Sequence, residues 1–199
     1  MMKKYRVGVI GATGMVGQRF VTLLQEHPWF DLAVLAASES SAGKTYQSAV
    51  AGRWAFPWPV PEKAAEMTVY DAADVNAVAS QCDFVFCAVN MDKAATRALE
   101  ERYAKAETPV VSNNSACRAV SDVPMLIPEI NAAHAPIIAA QCKRLGTRRG
   151  FVAVKPNCSI QSYVPALTPL RDFGIKAVSV CTYQAISGAG KTFDRFPEI

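Results

Sequence analysis

The pattern of hydrophobic and polar positions divides the chain into short apolar runs separated by amphipathic stretches. Apolar runs of strand length predict β-strands, and runs without polar interruption are typical of strands buried on both faces of a parallel sheet. The amphipathic stretches predict helices. We therefore predict strands at Tyr5–Ile10, Leu32–Ala37, Met67–Tyr70, Asp83–Val89, Pro109–Ser112 and Val152–Val154, and helices at 15–26, 92–105, 129–145 and 159–172.

Two segments depart from this alternation. Residues 38–66 contain serine, glycine and several prolines, which predict a long loop with little regular structure. Residues 177–185 alternate as a strand of an antiparallel sheet does. The alternating strands and helices predict an α/β fold with a doubly wound parallel sheet. We expect this domain to span residues 1–155, and residues 156–199 to begin an α+β catalytic and dimerisation domain of a longer protein.

Composition narrows the classes of function. Of 199 residues, 51% are hydrophobic and 19% are charged, and the 21 basic and 17 acidic residues give a net charge of +4. This mild excess suits phosphorylated or carboxylated small molecules and does not predict nucleic-acid binding. No signal peptide or membrane-spanning run is present, which favours the cytoplasm. The six cysteines form no CxxC pair, so we expect no metal site, and we expect Cys82, Cys87 and Cys181 to be core residues.

Three glycines follow the first predicted strand, two before the first predicted helix and one in its first turn. Gly11 permits a tight turn, Gly14 lets the backbone approach a pyrophosphate, and Gly17 lets the helix pack closely on the strand. The N-terminus of the helix offers free N–H groups and a positive dipole end to phosphates. The motif predicts a Rossmann-type dinucleotide site, and an ordinary glycine-rich turn is the alternative. The other predicted contacts of this turn are Thr13, Met15 and Val16.

The segment after the second predicted strand bears on which dinucleotide is bound. An NAD site usually places a carboxylate there, on the ribose hydroxyls. Here the strand ends at Ala37, and Ser38, Ser41 and Lys44 offer hydroxyl groups and positive charge to a 2′-phosphate. Glu39 is a counter-signal to NADP if its carboxylate reaches the ribose, and it has no bearing on the cofactor if it faces solvent. The segment favours NADP as the cofactor.

Cys158 stands at the start of a predicted helix, after Lys155-Pro156-Asn157. A helix N-terminus favours the negatively charged thiolate, which is the nucleophilic form of a cysteine. The N–H groups there, with the Asn157 side chain, are suited to stabilising an oxyanion on a bound acyl group. The spacing alone fits a nucleophile and a buried structural cysteine equally well.

Six motifs carry a resemblance that runs through the whole chain in order. They are GATGMVGQRF at 11–20, SSAGKTY at 40–46, SNNSACR at 112–118, VPMLIPEIN at 123–131, KPNCSIQ at 155–161 and QAISGAGK at 184–191. Together they resemble the aspartate-semialdehyde dehydrogenase family, especially its archaeal and fungal-like branch. The match corresponds to the first half to three-fifths of a full-length member.

The resemblance implies a reaction. Cys158 would attack the acyl phosphate of L-aspartyl-4-phosphate to form a thioacyl-enzyme, and NADPH would reduce it to L-aspartate 4-semialdehyde. This step serves the biosynthesis of lysine, threonine, methionine and isoleucine. Gln184 would orient the substrate, and Arg118 and Asn157 would contact it, a guanidinium being suited to an anion. The residues implied near the nicotinamide and phosphate are Asn114, Ser115, Ser187, Gly188 and Gly190.

Without the resemblance these residues have ordinary structural interpretations. Arg118 would be a surface arginine, Gln184 a hydrogen-bonding strand residue, and the glycines at 188 and 190 a turn. Family members also use a histidine of the second domain as acid and base, a position that neither His27 nor His134 matches. We expect both to be partly exposed structural residues. Since acid–base catalysis contributes about a hundred- to ten-thousand-fold, residues 1–199 alone should bind the dinucleotide but turn over poorly.

Alternative functions remain open at this point. Malonyl-CoA reductase shares the framework and the cysteine but takes a CoA thioester. N-acetyl-glutamyl-phosphate reductase has the same chemistry but fits the motifs at 112–118 and 155–161 less well. A non-catalytic dinucleotide-binding module would carry an inert Cys158. The partners we expect are a small-molecule substrate and, in a full-length protein, further copies of the chain in a homodimer or homotetramer, with neither nucleic acid nor membrane.

Overall fold

Six parallel strands form a single sheet in the first of two units. The structure, a computed structural model, describes residues 3–185, and the units are Met1–Pro156 and Asn157–Ile199. The strand order is β3-β2-β1-β4-β5-β6, and every neighbouring pair is parallel. This confirms the predicted Rossmann-type doubly wound sheet. The strands are β1 Tyr5–Ile10, β2 Phe30–Ala37, β3 Val69–Asp71, β4 Phe84–Cys87, β5 Val110–Ser112 and β6 Val152–Val154.

Helices connect these strands. In the first unit they are α1 Met15–Leu24, α2 Tyr46–Ala49, α3 Glu62–Ala65, α4 Val75–Ala79, α5 Lys93–Lys105, α6 Pro128–Asn131 and α7 Ile138–Leu145, with 3₁₀ turns at Glu39–Ser41 and Ala132–Ile137. Side-chain hydrogen bonds and backbone conformation fix several helix ends. Asp92 accepts a hydrogen bond from the Ala95 N–H (2.9 Å) at the start of α5, and Gly146 ends α7 with φ of 72°.

The core lies on both faces of the sheet, because successive side chains of a strand point to opposite sides. Val7 and Val9 of β1 pack in one apolar cluster with residues of α1, α2 and α3, whereas Ile10 packs in a second cluster with residues of α4 and α5. Both clusters are built from buried residues of several strands. The sheet is therefore covered on two sides, and its carboxyl edge is left for loops.

Buried polar contacts tie loops to this core. The Tyr46 hydroxyl donates to the Ala12 carbonyl (2.9 Å), and the Tyr103 hydroxyl donates to the Ala72 carbonyl (2.9 Å). Burial raises the pKa of both phenols above the usual range, so both remain neutral donors. Gln141 of α7 is fully buried and makes two hydrogen bonds with the Val152 backbone, which hold α7 against β6.

Several secondary-structure predictions were wrong. Residues 38–66 contain α2 and α3, because Tyr46 and Ala64 are buried against the sheet and stabilise helical turns that loop composition does not reveal. The predicted helix at 129–145 is interrupted by a 3₁₀ segment that contains Pro136, which cannot donate a helical hydrogen bond. Helix α4 was not predicted, since only five residues form it.

The second unit contains α8 Cys158–Leu167, followed by a 3₁₀ turn at Thr168–Phe173 that ends at Gly174. The strand predicted at 177–185 is not formed, because no other described residues supply the neighbouring strand that its hydrogen bonds require. Cys181 is consequently exposed instead of a core residue, whereas Cys82 and Cys87 are buried as predicted. Within residues 3–185, every helix is too short or too polar to cross a membrane.

Candidate functional site

The glycine-rich turn connects β1 to α1 at the carboxyl edge of the sheet. The N–H groups of Gly11 and Ala12 both donate to the Ala36 carbonyl, at 2.8 and 3.0 Å, which fixes the turn to β2. Gly11 has φ of 84°, and a Cβ there would lie 2.5 Å from the Ala88 carbonyl oxygen. A Cβ at Gly17 would overlap the Gly11 carbonyl oxygen. The fold itself therefore requires these two glycines.

Gly14 differs from the other two glycines of the motif. Its φ is −78°, and a Cβ would meet only the Gly11 carbonyl oxygen, at 3.5 Å, an ordinary contact. Gly14 is the N-cap of α1, whose first turn carries no acidic side chain. The first turn, with Met15 and Val16 45% and 43% exposed, offers N–H groups that have no intrahelical acceptor. The surface at Gly14 is therefore open to an anion.

A cleft of about 610 Å³ opens beside this turn. Its floor is the carboxyl edge of the sheet, represented by Gly11, Ala37 and Asp71, and α5 forms one wall. Most of the lining side chains are small and apolar. The position agrees with the rule that ligands of open α/β sheets bind outside the carboxyl ends of the strands, where the strand order reverses. The lining residues that carry polar chemistry are Thr13, Ser38, Arg53, Asp71, Asn90 and Arg102.

The three residues predicted to contact the 2′-phosphate, and the counter-signal Glu39, occupy different environments. Ser38 lines the cleft, and its hydroxyl lies 3.0 Å from the Ser40 hydroxyl. Ser41 is 1% exposed and accepts a hydrogen bond from Arg53. The Lys44 ammonium donates to the Ser40 carbonyl (2.8 Å). Neither Ser41 nor Lys44 is among the residues that line the cleft, and the exposed Glu39 is not among them either.

Arg53, Asp71 and Arg102 line the cleft and were missed by sequence reasoning. Asp71 ends β3 and accepts a hydrogen bond from the Ala73 N–H (2.9 Å), and Arg102 of α5 donates to the Ala73 carbonyl (2.8 Å). A carboxylate at the end of a parallel strand is a signal that could have drawn attention to Asp71. Arg53 carried no such signal, because it stands in a segment predicted to be an irregular loop.

The end of β5 carries a polar cluster beside this cleft edge. Glu100 is 1% exposed, and its Oε1 accepts hydrogen bonds from the Ser112 hydroxyl (2.5 Å) and the Asn114 amide (3.1 Å). Asn114 is half-buried and Ser115 is exposed. Burial and the neighbouring Glu100 carboxylate raise the pKa of the Cys117 thiol to about 12. Glu100 therefore fixes the side chain of Asn114, whereas Cys117 stays an unreactive thiol.

Arg118 connects the ends of β5 and β6. Its Nε donates to the Lys155 carbonyl (3.1 Å), and its Nη2 lies 3.4 Å from the Asn113 carbonyl. Arg118 is half-buried, so it is more constrained than the surface arginine that its spacing alone allowed. These bonds leave part of the guanidinium for an anion.

In the second unit, Cys158 is the first residue of α8 and is exposed. The Asn157 side chain caps the helix by accepting a hydrogen bond from the Ser159 N–H (2.8 Å). The Gln184 amide donates to the Cys158 sulfur, with Nε2 and Sγ 3.4 Å apart. The structure thus brings Asn157, Cys158 and Gln184 together, and the thiol is not a buried core group.

The remaining predicted site residues are less informative. Ser187, Gly188 and Gly190 lie outside the described residues. His27 is partly exposed and stacks on Phe30 with ring centroids 4.4 Å apart, and His134 is exposed in the 3₁₀ segment after α6. Among residues 3–185, no group of three or more histidine, cysteine or acidic side chains is placed to hold a metal ion.

Comparisons with known proteins agree with this architecture. The family model described as semialdehyde dehydrogenase, NAD binding domain, matches residues 6–137. The aspartate-semialdehyde dehydrogenase of Archaeoglobus fulgidus is 45% identical over 189 residues, covering 94% of this chain and 52% of the relative. That of Saccharomyces cerevisiae is 41% identical over 196 residues, covering 96% and 52%. The chain spans about half the length of the curated relatives it matches.

Solved structures give the same picture. The crystal structure of aspartate semialdehyde dehydrogenase with NADP from Candida albicans aligns with a TM-score of 0.75 and 34% identity, over 87% of this chain and 48% of that one. Aspartate semialdehyde dehydrogenase II of Vibrio cholerae, complexed with ASA, aligns with a TM-score of 0.73 and 28% identity, over 98% and 50%. These matches confirm the resemblance inferred from the motifs, and the chain belongs to the semialdehyde dehydrogenase family.

Proposed function

We propose that this chain supplies the dinucleotide site and the nucleophile of an NADP-dependent aspartate-semialdehyde dehydrogenase. The proposed reaction converts L-aspartyl-4-phosphate to L-aspartate 4-semialdehyde and phosphate. The relatives of this name, which are 45% and 41% identical to the chain, support the substrate, and the Candida albicans structure with NADP supports the cofactor. The observation that carries the chemistry is the exposed Cys158 at the start of α8, with the Gln184 amide on its sulfur.

The fit of the cofactor rests on the glycine-rich turn. The open surface at Gly14 is a cradle that a side chain would fill, and the first turn of α1 presents N–H groups without a competing carboxylate. We assign the pyrophosphate to Gly11–Gly17, including Thr13, Met15 and Val16, and the adenosine end to the part of the cleft next to Ser38. When bound, NADPH supplies the hydride. Ser41 and Lys44 remain proposed residues of the adenosine end, although neither lines the cleft, and Asn114 and Ser115 remain proposed neighbours of the nicotinamide.

Cys158 is proposed to attack the acyl carbon of the substrate through its sulfur. A carbon–sulfur bond forms as the carbon–oxygen bond to phosphate breaks, and phosphate leaves with the electron pair. The Gln184 amide orients the sulfur, and the Asn157 side chain holds the helix start from which N–H groups can face the developing oxyanion. Arg118, already held by two carbonyls, is proposed to bind the phosphate or the acid group of the substrate.

The wider setting follows from the same proposal. The enzyme would act in the cytoplasm, in the biosynthesis of lysine, threonine, methionine and isoleucine, as a homodimer or homotetramer. Residues 1–155 would form the NADP-binding domain and residues 156–199 the beginning of the catalytic domain. Neither His27 nor His134 is proposed as the acid–base group, because one stacks on Phe30 and the other stands on an exposed 3₁₀ turn.

The direct test is acylation of the chain in the absence of NADPH. The protein is mixed with L-aspartyl-4-phosphate, and the adduct is mapped by mass spectrometry before and after hydroxylamine treatment. We expect a hydroxylamine-sensitive adduct on Cys158 in the wild-type chain and in Cys181→Ser, which removes the other exposed thiol, but none in Cys158→Ser. A folded wild-type chain without an adduct contradicts the proposal. If malonyl-CoA forms the adduct and L-aspartyl-4-phosphate does not, the substrate is a CoA thioester and not an acyl phosphate.

A further inference from the structure

Arg53 occupies a place in the cleft that no motif assigned to it. It lines the cleft together with Gly14 and Ser38, and its guanidinium donates to the hydroxyl of Ser41, in the 3₁₀ turn that follows β2. In dinucleotide sites of this topology the adenosine ribose is read at the end of the second strand. A cation at that position faces the group that distinguishes NADP from NAD, the 2′-phosphate.

The guanidinium is fixed along one edge and open along the other. Its Nε and Nη2 donate to the Ala49 carbonyl, at 2.9 and 2.6 Å, and Nη2 also donates to the Ser41 hydroxyl at 3.0 Å. Nη1 makes no hydrogen bond to any residue that the structure describes, which leaves two N–H groups for an anion. The side chain is therefore oriented before a ligand arrives.

The backbone of Arg53 is also held. Gln18, which is 1% exposed, donates from Nε2 to the carbonyls of Thr13 and Arg53, both at 3.0 Å, and its Oε1 accepts from the Ala55 N–H at 2.8 Å. The loop that carries Arg53 is thus tied to the glycine-rich turn through a buried side chain. Such preorganisation reduces the entropy lost on binding.

The other charged groups near the end of β2 are placed less favourably than Arg53 to act on a 2′-phosphate. The Lys44 ammonium donates to the Ser40 carbonyl, and neither Lys44 nor Glu39 lines the cleft. Asp71 is the one acidic residue among those lining the cleft, and it lies at the end of β3, where it accepts from the Ala73 N–H. Asp71 pairs with Ala37 and so lies beside the end of β2, but its carboxylate is held by the Ala73 N–H and forms no ion pair with Arg53 within the described residues.

We propose that Arg53 binds the 2′-phosphate of the dinucleotide and sets the preference of this chain for NADP over NAD. Ser41 then acts indirectly, as the buried hydroxyl that orients the guanidinium. The inference rests on the proposed function, because it requires that the cleft binds a dinucleotide. It goes beyond that function in assigning the specificity to a residue of the loop after α2.

The test compares dissociation constants for NADP and NAD by calorimetry. Arg53→Ala and Arg53→Gln should weaken NADP binding by about 10- to 100-fold, as expected for a lost charge-assisted hydrogen bond, and change NAD binding by less than about threefold, which is within the effect of an exposed charge. Arg19→Ala is the matched control, because Arg19 lies over Phe56 in the same neighbourhood but does not line the cleft. Arg53→Gln keeps an amide donor and serves if the alanine variant fails to fold.

The outcomes distinguish failure of the proposed dinucleotide site from failure of the assignment of Arg53. A wild-type chain that binds neither dinucleotide contradicts the proposed function. A wild-type chain that binds NADP, with Arg53 variants that weaken NADP and NAD equally or not at all, contradicts only the assignment of Arg53. A larger loss of NADP preference in Lys44→Ala than in Arg53→Ala would also overturn it in favour of Lys44. A tenfold or greater loss of NADP preference confined to the Arg53 variants supports it.

Discussion

Alanine at Gly14 should weaken dinucleotide binding with little change in stability, whereas alanine at Gly17 should lower the stability of the fold. At Gly14 the backbone φ of −78° suits alanine, and the added Cβ would lie 3.5 Å from its nearest neighbour, the Gly11 carbonyl oxygen. At Gly17 the Cβ would overlap that same oxygen and lie 2.7 Å from the Ala12 Cα. The first substitution therefore fills space that the protein leaves open, and the second fills space that the protein itself occupies.

The sizes of the effects follow from this geometry. Gly14→Ala should change the free energy of unfolding by less than about 1 kcal/mol, because the restriction of the unfolded chain offsets the poorer N-cap that alanine makes at this position. A methyl group forced into a close contact costs about 1–3 kcal/mol, so NADPH should bind Gly14→Ala about 5- to 150-fold more weakly. Gly17→Ala should lose about 3 kcal/mol of stability or more, because backbone atoms on both sides must move.

Thermal unfolding and NADPH titration of the two variants provide the assay. Gly14→Ala should unfold within a few degrees of the wild type and bind weakly, whereas Gly17→Ala should unfold about 6–12 °C lower for a loss of about 3 kcal/mol. Wild-type affinity in Gly14→Ala would refute the assignment of the pyrophosphate to this turn. Wild-type stability in Gly17→Ala would refute the argument that close packing of α1 requires a glycine there.

Three further outcomes test other parts of the structure. Iodoacetamide near neutral pH should alkylate Cys158 about tenfold faster than Cys181, because both thiols are exposed but of the two only Cys158 lies at a helix N-terminus; equal rates would argue against an activated thiol. Gln141→Leu should lower the free energy of unfolding, measured by urea denaturation, by about 3 kcal/mol, since it leaves buried backbone groups of Val152 unpaired. A loss below about 1 kcal/mol would contradict this. Backbone N–H groups of Arg149, Arg148 and Gly150 lower the pKa of Glu107, so its ionised form stabilises the fold above the ordinary pKa of a glutamate, and this stabilisation is lost as pH falls through the folded pKa. The difference in unfolding free energy between the wild type and Glu107→Gln should therefore close on acidification. A difference that stays constant with pH would argue against this contribution.

Sequence periodicity was sufficient to predict the parallel sheet. Each of the six strands overlaps a predicted apolar run, because strands buried on both faces are largely apolar. The glycine motif was equally informative, since Gly11 and Gly17 answer steric demands of the turn. The start of α8 at Cys158 also agrees, within one residue, with the helix predicted at 159–172.

The missed features depend on tertiary contacts. Helices α2 and α3 form because Tyr46 and Ala64 are buried against the sheet, which local composition does not record. Arg53 reaches the cleft through the hydrogen bonds of Gln18, a residue 35 positions away. The strand predicted at 177–185 failed for a related reason, because alternation describes one strand and says nothing about a partner.

Hydrogen–deuterium exchange with and without NADPH tests most directly whether the glycine-rich turn is the dinucleotide site. We expect slower exchange in peptides that cover Gly11–Gly17 and the end of β2 at Ala37 and Ser38, which line the cleft beside Gly14. A peptide covering Cys142–Leu145 of α7, which does not line the cleft, should be unaffected. If peptides at the turn and at the end of β2 of a folded chain exchange equally fast with and without saturating NADPH, the glycine-rich turn is not the dinucleotide site.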